Sequence, residues 1–176
     1  MFTKNPRSRK TFADVVKFYQ LLSLAQTTQE IPNPFFYVSS SEWNLYDDLN
    51  TFFKHNGLPK GAFLLNHIKK WYQLVRTGAG KHEGKLARVS RILTAFPKQK
   101  FVLLGDNSQR DPEIYATIAK DYPEQIACIY IRNVSPKNEH LTVDLFASLQ
   151  KKNIYTFLFE HTDEAILHAK STGLID

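Results

Sequence analysis

Phe101-Val-Leu-Leu-Gly-Asp-Asn-Ser-Gln-Arg-Asp-Pro-Glu-Ile-Tyr115 joins an unbroken apolar run to Gly105-Asp106, and a second carboxylate, Asp111, follows five residues after the first. The run has no polar alternation, so it reads as a buried parallel strand. Gly105 allows a sharp turn. Asp111 suits an N-cap and Pro112 the first helical position, which predicts a helix over Asp111–Lys120. Both carboxylates then lie at the C-terminal end of a parallel strand, the place where open α/β sheets bind ligands. Hard oxygen donors at such a place suit Mg²⁺ better than zinc.

The rest of the chain continues the alternation. Phe12, Val15, Val16, Tyr19 and Leu22 recur at helical spacing and predict an amphipathic helix over Thr11–Ser23. Phe35–Ser40 reads as a short buried strand, Trp43–His55 as a helix closed by Asn56-Gly57, and Ala62–Asn66 as another strand. Ile68–Gly84, with three glycines and many cations, reads as a loop with some helix that ends at Gly84. A helix over Lys85–Phe96 stops at Pro97. After the opening strand and helix come a strand at Gln125–Arg132, a helix near Leu141–Lys151, a strand at Ile154–Phe159 and a helix from Thr162 to about Ser171. Strands alternating with helices imply right-handed crossovers and a mainly parallel sheet with helices on both faces. At 176 residues the chain fits a single domain with a sizeable core.

A hydrophobic content of 43% argues against disorder. No apolar run nears the roughly 20 residues that span a bilayer, and Met1–Arg7 lacks the apolar core of a signal peptide. A cytoplasmic protein is expected. The single cysteine, Cys128, lies in the apolar run Ile126–Ile131 and reads as core. The formal charge of +6 favours anionic partners: phosphate esters, acidic lipid surfaces or nucleic acid. Lys4, Arg7, Arg9 and Lys10 form one basic cluster, and Lys69, Lys70, Arg76, Lys81, Lys85, Arg88 and Arg91 a second. A solvated basic face is the alternative for each. Trp71 and Tyr72 are interleaved with the second cluster and offer stacking surfaces, yet no recognition motif accompanies them, so no nucleic-acid partner is expected.

Four separated segments, Tyr37–Tyr46, Leu58–Leu65, Leu104–Tyr115 and Ile129–Arg132, resemble in order the catalytic domain of App1-type phosphatidate phosphatases. That family belongs to the haloacid dehalogenase (HAD) superfamily of aspartate-nucleophile phosphatases. The resemblance implies an α/β, HAD-like Rossmannoid fold and Mg²⁺ as cofactor. It makes Ser39 the hydroxyl that binds phosphoryl oxygens, where a helix-capping serine is the alternative. It makes Lys85 the cation that steadies nucleophile and phosphate, with Lys81 as competitor. It assigns Asp106 and Asp111 to Mg²⁺; otherwise Asp106 ends a strand and Asp111 caps a helix, which leaves the repulsion of two neighbouring carboxylates without a counter-cation. Ser41, Trp43 and Asn44 become substrate contacts, Trp43 alternatively helix packing. Arg132, at another strand end, faces the same mouth or forms a surface ion pair.

The first HAD motif, a strand followed by Asp-x-Asp-x-Thr, is not found: no two aspartates of the chain are separated by a single residue. The resemblance places that strand before the helix near Thr11 and centrally in the sheet, between the strand of Ser39 and the strand of Asp106. Its absence would expose two strand edges, and suggests an N-terminally truncated product, a misassigned start or a trimmed chain. The expected function of the intact protein is Mg²⁺-dependent hydrolysis of phosphatidate, or another phosphomonoester, through an aspartyl-phosphate, with peripheral contact at an anionic membrane. The alternative is an inactive phosphate- or lipid-binding module.

Overall fold

The computed structural model describes the backbone of residues 13–66 and 80–176. The basic N-terminal cluster, Phe12, and the stretch bearing Lys69, Lys70, Trp71, Tyr72 and Arg76 lie outside the described residues, as do the side chains of Ser41 and Lys81. The chain divides into two compact units, Met1–Thr77 with Ile166–Asp176, and Gly78–Ala165.

In the first unit, α1 (Ala13–Ser23) and α2 (Tyr46–His55) accompany two parallel strands, β1 (Phe35–Glu42) and β2 (Gly61–Asn66). On α1 the most deeply buried side chains are Phe18 and Leu22, one turn apart, while Val15, Val16 and Tyr19 are only half-buried. Leu22 was on the expected stripe and Phe18 was not. Apolar residues occupy more than one face of this helix, so periodicity alone does not select the inner one. Phe35 and Val38 pair in register with Gly61 and Leu64. A Cβ at Gly61 would stand 2.5 Å from the Phe35 carbonyl oxygen and 2.7 Å from the Tyr37 ring, so only glycine admits this approach. Tyr37 packs between Phe35, Phe53 and Phe63, and its hydroxyl donates to the Pro59 carbonyl at 2.7 Å. Burial, with Tyr19 nearby, pushes its ionisation well above the ordinary tyrosine value.

β1 is longer than expected and irregular. Its register shifts between Val38 and Glu42, so Ser39 lies at a break inside the strand rather than at its end. A short 3₁₀ turn at Trp43–Leu45 leads into α2. α2 closes as the Asn-Gly pair predicts: Gly57 has φ 70°, its N–H donates to the Lys54 carbonyl at 3.3 Å, and that of Leu58 to the Phe53 carbonyl at 3.0 Å. This is the Schellman arrangement.

The second unit runs α3 (Gly80–Ala95), β3 (Phe101–Asp106), α4 (Asp111–Asp121), β4 (Ile126–Arg132), α5 (Glu139–Gln150) and β5 (Thr156–Phe159). α6 (Thr162–Ser171) starts here and ends among residues of the first unit. The strands form a parallel sheet in the order β3-β4-β5. On β4, Ile129, Tyr130 and Ile131 are successive and all completely buried. Since neighbours on a strand point to opposite faces, β4 is covered on both. α4 packs on β3 and β4 and between α3 and α5, burying Ile114, Tyr115, Ile118 and Ala119. Cys128 is core, as expected, and burial pushes its thiol up to about 11.

The protein is thus α/β with parallel strands and helices packed around them, as the alternation predicts. The pairings form two sheets rather than one. Among the described residues β1 pairs only with β2, and β3 only with β4.

Two measurements check this packing. Gly61→Ala should force β1 and β2 apart and lower unfolding free energy by about 1–3 kcal/mol in urea titrations. Cys128 should react with a disulfide reagent only after unfolding. Its folded-state pKa is raised, so its contribution to stability is present below the ordinary thiol value of 9.0 and is lost as pH rises through about 11.

Candidate active site

α3 begins five residues before Lys85, so Gly84 lies within the helix instead of ending a loop. An interior glycine costs about 1 kcal/mol relative to alanine, and the good helix formers around it carry the helix through. Lys85 therefore projects from a formed turn. Its Nζ lies 2.6 Å from Asp111 Oδ1, with the two side chains only 16% and 17% exposed. The same ammonium stands 5.5 Å above the Tyr115 ring, within cation–π range. The Tyr115 hydroxyl donates to the Leu104 carbonyl at 2.9 Å, tying α4 to β3.

This pairing corrects two expectations. Asp111 is not the N-cap of α4: Arg110 holds that position without a side-chain cap, and the Asp111 carboxylate bonds Lys85. Gly105 is not a turn residue, because β3 continues through it to Asp106 and its φ is not positive. Its role is space. A Cβ there would stand 2.7 Å from Asp111 Oδ2 and 2.9 Å from the Tyr115 ring. Bare backbone at Gly105 is what lets the Asp111 carboxylate lie against β3.

Asp106 ends β3. Its Oδ1 accepts from the Ser108 N–H at 2.8 Å and from the Ser108 hydroxyl. Among the described residues no cation pairs with it; the ion pairs there are Lys85–Asp111 and the exposed Arg110–Glu113 at 3.8 Å. Arg132 stands in register with Asp106 at the end of β4, and its Nε donates to the Glu160 carbonyl at 3.3 Å. Arg88, one turn beyond Lys85, is half-buried, and burial lowers its pKa.

The structure therefore brings Lys85 to Asp111, and sets Asp106 in register with Arg132 at the C-terminal ends of β3 and β4. The first unit carries the others. Ser39 sits at the register break of β1, and Trp43 and Asn44 open the 3₁₀ turn that follows. Trp43 is 60% exposed, which removes helix packing as its explanation.

The donor chemistry fits a hard divalent cation only in part. The repulsion argument for Mg²⁺ loses force, since Lys85 already neutralises Asp111. Asp106 and Asp111 share the donor type that suits the ion, Asp111 being the one paired with Lys85, and no group of three or more His, Cys, Asp or Glu suited to a metal occurs among the described residues. Sequence reasoning missed Tyr115, Ser108 and Asn107. Tyr115 carries a readable signal, being one turn after Asp111 on the same helix face; Ser108 and Asn107 read only as turn residues.

Lys85→Met should leave Asp111 without its counter-ion and lower stability by about 2–4 kcal/mol, with Asp111→Asn showing a similar loss. The double variant should cost less than the sum of the two, giving a coupling energy of about 1–3 kcal/mol in urea denaturation; additive losses would show the pair to be energetically idle.

A family model described as the catalytic domain of phosphatidate phosphatase APP1 matches residues 1–133. The chain is 36% identical over 98 residues to phosphatidate phosphatase APP1 of Saccharomyces cerevisiae, covering 56% of this chain and 16% of that protein. It is 29% identical over 131 residues to an uncharacterised protein of Schizosaccharomyces pombe, covering 73% and 20%. The aligned stretch is thus a fifth or less of the length of either relative. No solved structure gives a significant match. The family match runs through Arg132 and takes in every candidate site residue named above, and the chain belongs to the family of the APP1 phosphatidate phosphatase catalytic domain.

Proposed function

We propose that this chain carries the second, third and fourth motifs of a Mg²⁺-dependent HAD phosphatase that converts phosphatidate to diacylglycerol and phosphate through an aspartyl-phosphate. The observation that carries the reading is the Lys85–Asp111 pair, packed against Gly105 one residue before Asp106 at the C-terminal end of β3, in a chain of this family. Asp106 offers a carboxylate oxygen to Mg²⁺, which when bound draws charge from the phosphoryl oxygens. Asp111 holds the Lys85 ammonium, so that a fixed positive charge meets the transferring phosphoryl group without reorganising during reaction. Arg132 offers a guanidinium to the remaining phosphoryl oxygens, and Ser39 keeps the hydroxyl-donor role that the family resemblance gives it. The exposed Trp43, with Ser41 and Asn44, contacts the lipid part of the substrate or the surface that holds it. Net charge of +6 favours an anionic membrane. No helix among the described residues is long and apolar enough to cross a membrane, and contact from the cytoplasmic side is peripheral in this reading.

The nucleophile is not among these 176 residues, because no Asp-x-Asp occurs in them. The same fact favours a second reading, a binding module that keeps the phosphate- and lipid-recognition residues without turnover.

A version extended upstream of Met1 decides between them by colorimetric phosphate release. The phosphatase reading expects Mg²⁺-dependent release from phosphatidate, with kcat reduced about 10²–10³-fold in Lys85→Met and Asp106→Asn. Liposome binding with no release from phosphatidate or from simple phosphomonoesters would sink it and leave the binding module.

A further inference from the structure

Ser135-Pro136 is the sole serine or threonine followed by proline in the chain. It lies in the connection between β4 and α5, three residues after Arg132. The backbone of this connection is fastened by Asn107, a completely buried residue just past the end of β3. Asn107 Nδ2 donates to Asn133 Oδ1 at 2.6 Å and to the Ser135 carbonyl at 3.1 Å, while its Oδ1 accepts from the Val134 and Ser135 N–H groups, each at 2.8 Å. An asparagine amide offers two donors and one oxygen with two lone pairs, so its whole capacity goes to this segment. The bonds to Ser135 engage its backbone alone. Its side chain is placed differently. Ser135 is half-buried, its backbone extended at φ −131° and ψ 95°, and it holds the N-cap position of the 3₁₀ turn Pro136–Asn138 that leads into α5. A serine there ordinarily accepts from the first N–H groups of the helix. Ser135 makes no such capping bond, and among the described residues its Oγ has no hydrogen-bond partner.

We infer that Ser135 is a phosphorylation site for a proline-directed protein kinase. The acceptor in such a transfer must be a hydroxyl that can meet the incoming phosphorus without giving up a bond, and Ser135 Oγ meets that condition. A kinase cleft that leaves the next backbone position unpaired favours a residue without an N–H, and Pro136 has none. Lys137, exposed and next in the chain, adds a cation beside the acceptor. In the reaction Ser135 Oγ attacks the γ-phosphorus of a nucleoside triphosphate and the bond to the β-phosphate oxygen breaks. The hydroxyl proton passes to the kinase's base, and the nucleoside diphosphate leaves. The product carries a charge of about −1.5 to −2 at neutral pH. It stands at the amino end of the turn that opens α5, on the same short connection as Arg132. In the proposed function Arg132 meets the phosphoryl group of an anionic substrate, so the added charge repels that substrate and weakens its binding. This consequence rests on the proposed function; the modification of Ser135 does not.

The test incubates the folded 176-residue chain with ATP and a proline-directed kinase of the cyclin-dependent or mitogen-activated class, and locates phosphate by mass spectrometry. Ser135 should fill toward one phosphate per chain. Ser135→Ala, which keeps both backbone bonds to Asn107, should take up none. A synthetic peptide of residues 129–141 serves as reference: phosphate on the peptide but not on the folded chain, on neither, or on other residues of the chain alone would overturn the assignment. A second arm uses the version extended upstream of Met1. Full phosphorylation should raise KM for phosphatidate about 3–10-fold at low salt with kcat little changed, and the difference should shrink as ionic strength rises. Treated Ser135→Ala should keep the unmodified KM. An unchanged KM at full phosphorylation would overturn the consequence for binding. An extended protein without turnover before any modification would remove that consequence together with the proposed function, while phosphate found on Ser135 would still support the site.

Discussion

The contact between Lys85 Nζ and Asp111 Oδ1, at 2.6 Å, is the interaction around which the candidate site is built. Taking two charges largely out of water is costly, and the cost is offset only where the geometry is close and the neighbours are complementary. Both conditions are supplied locally. Gly105 lacks the Cβ that would press on the Asp111 carboxylate, and the Tyr115 ring lies beneath the ammonium while its hydroxyl holds the β3 carbonyl of Leu104. The pair therefore locks α3, β3 and α4 together. An apolar pair of similar size would bring these elements together as well or better.

The pairing also divides the work of two carboxylates that look equivalent along the chain. Asp111 is committed to a lysine. Asp106, held by Ser108 and followed by the buried Asn107, has no counter-cation among the described residues.

Strand pairing sets the other constraint. β4 is central and buried on both faces, so β3 on one flank and β5 on the other complete its hydrogen bonding. β1 and β3 each pair on one side only among the described residues.

Much of this was legible along the chain. The alternation of strands and helices announced parallel strands covered by helices, Asn56-Gly57 announced the left-handed end of α2, and Pro112 announced the start of α4. Spacing put Asp106 and Asp111 at one strand end and motif resemblance put Lys85 with them. What spacing could not give was the partner of each group. The carboxylate of Asp111 had a local option, capping its own helix, and a distant one, Lys85; the choice was made by how closely α3 and α4 pack, which no local pattern encodes. Gly105 read as a turn because glycine's freedom is a property of the residue, whereas the space it leaves is a property of its neighbours. Asn107 read as a loop residue because its four side-chain bonds reach residues more than twenty positions away. The sequence by itself determined the strands, the helices and the kinds of charge at the strand ends, because these follow from periodicity and residue chemistry. Only the tertiary structure decided which charges meet and what holds them, because those depend on contacts between segments distant in the chain.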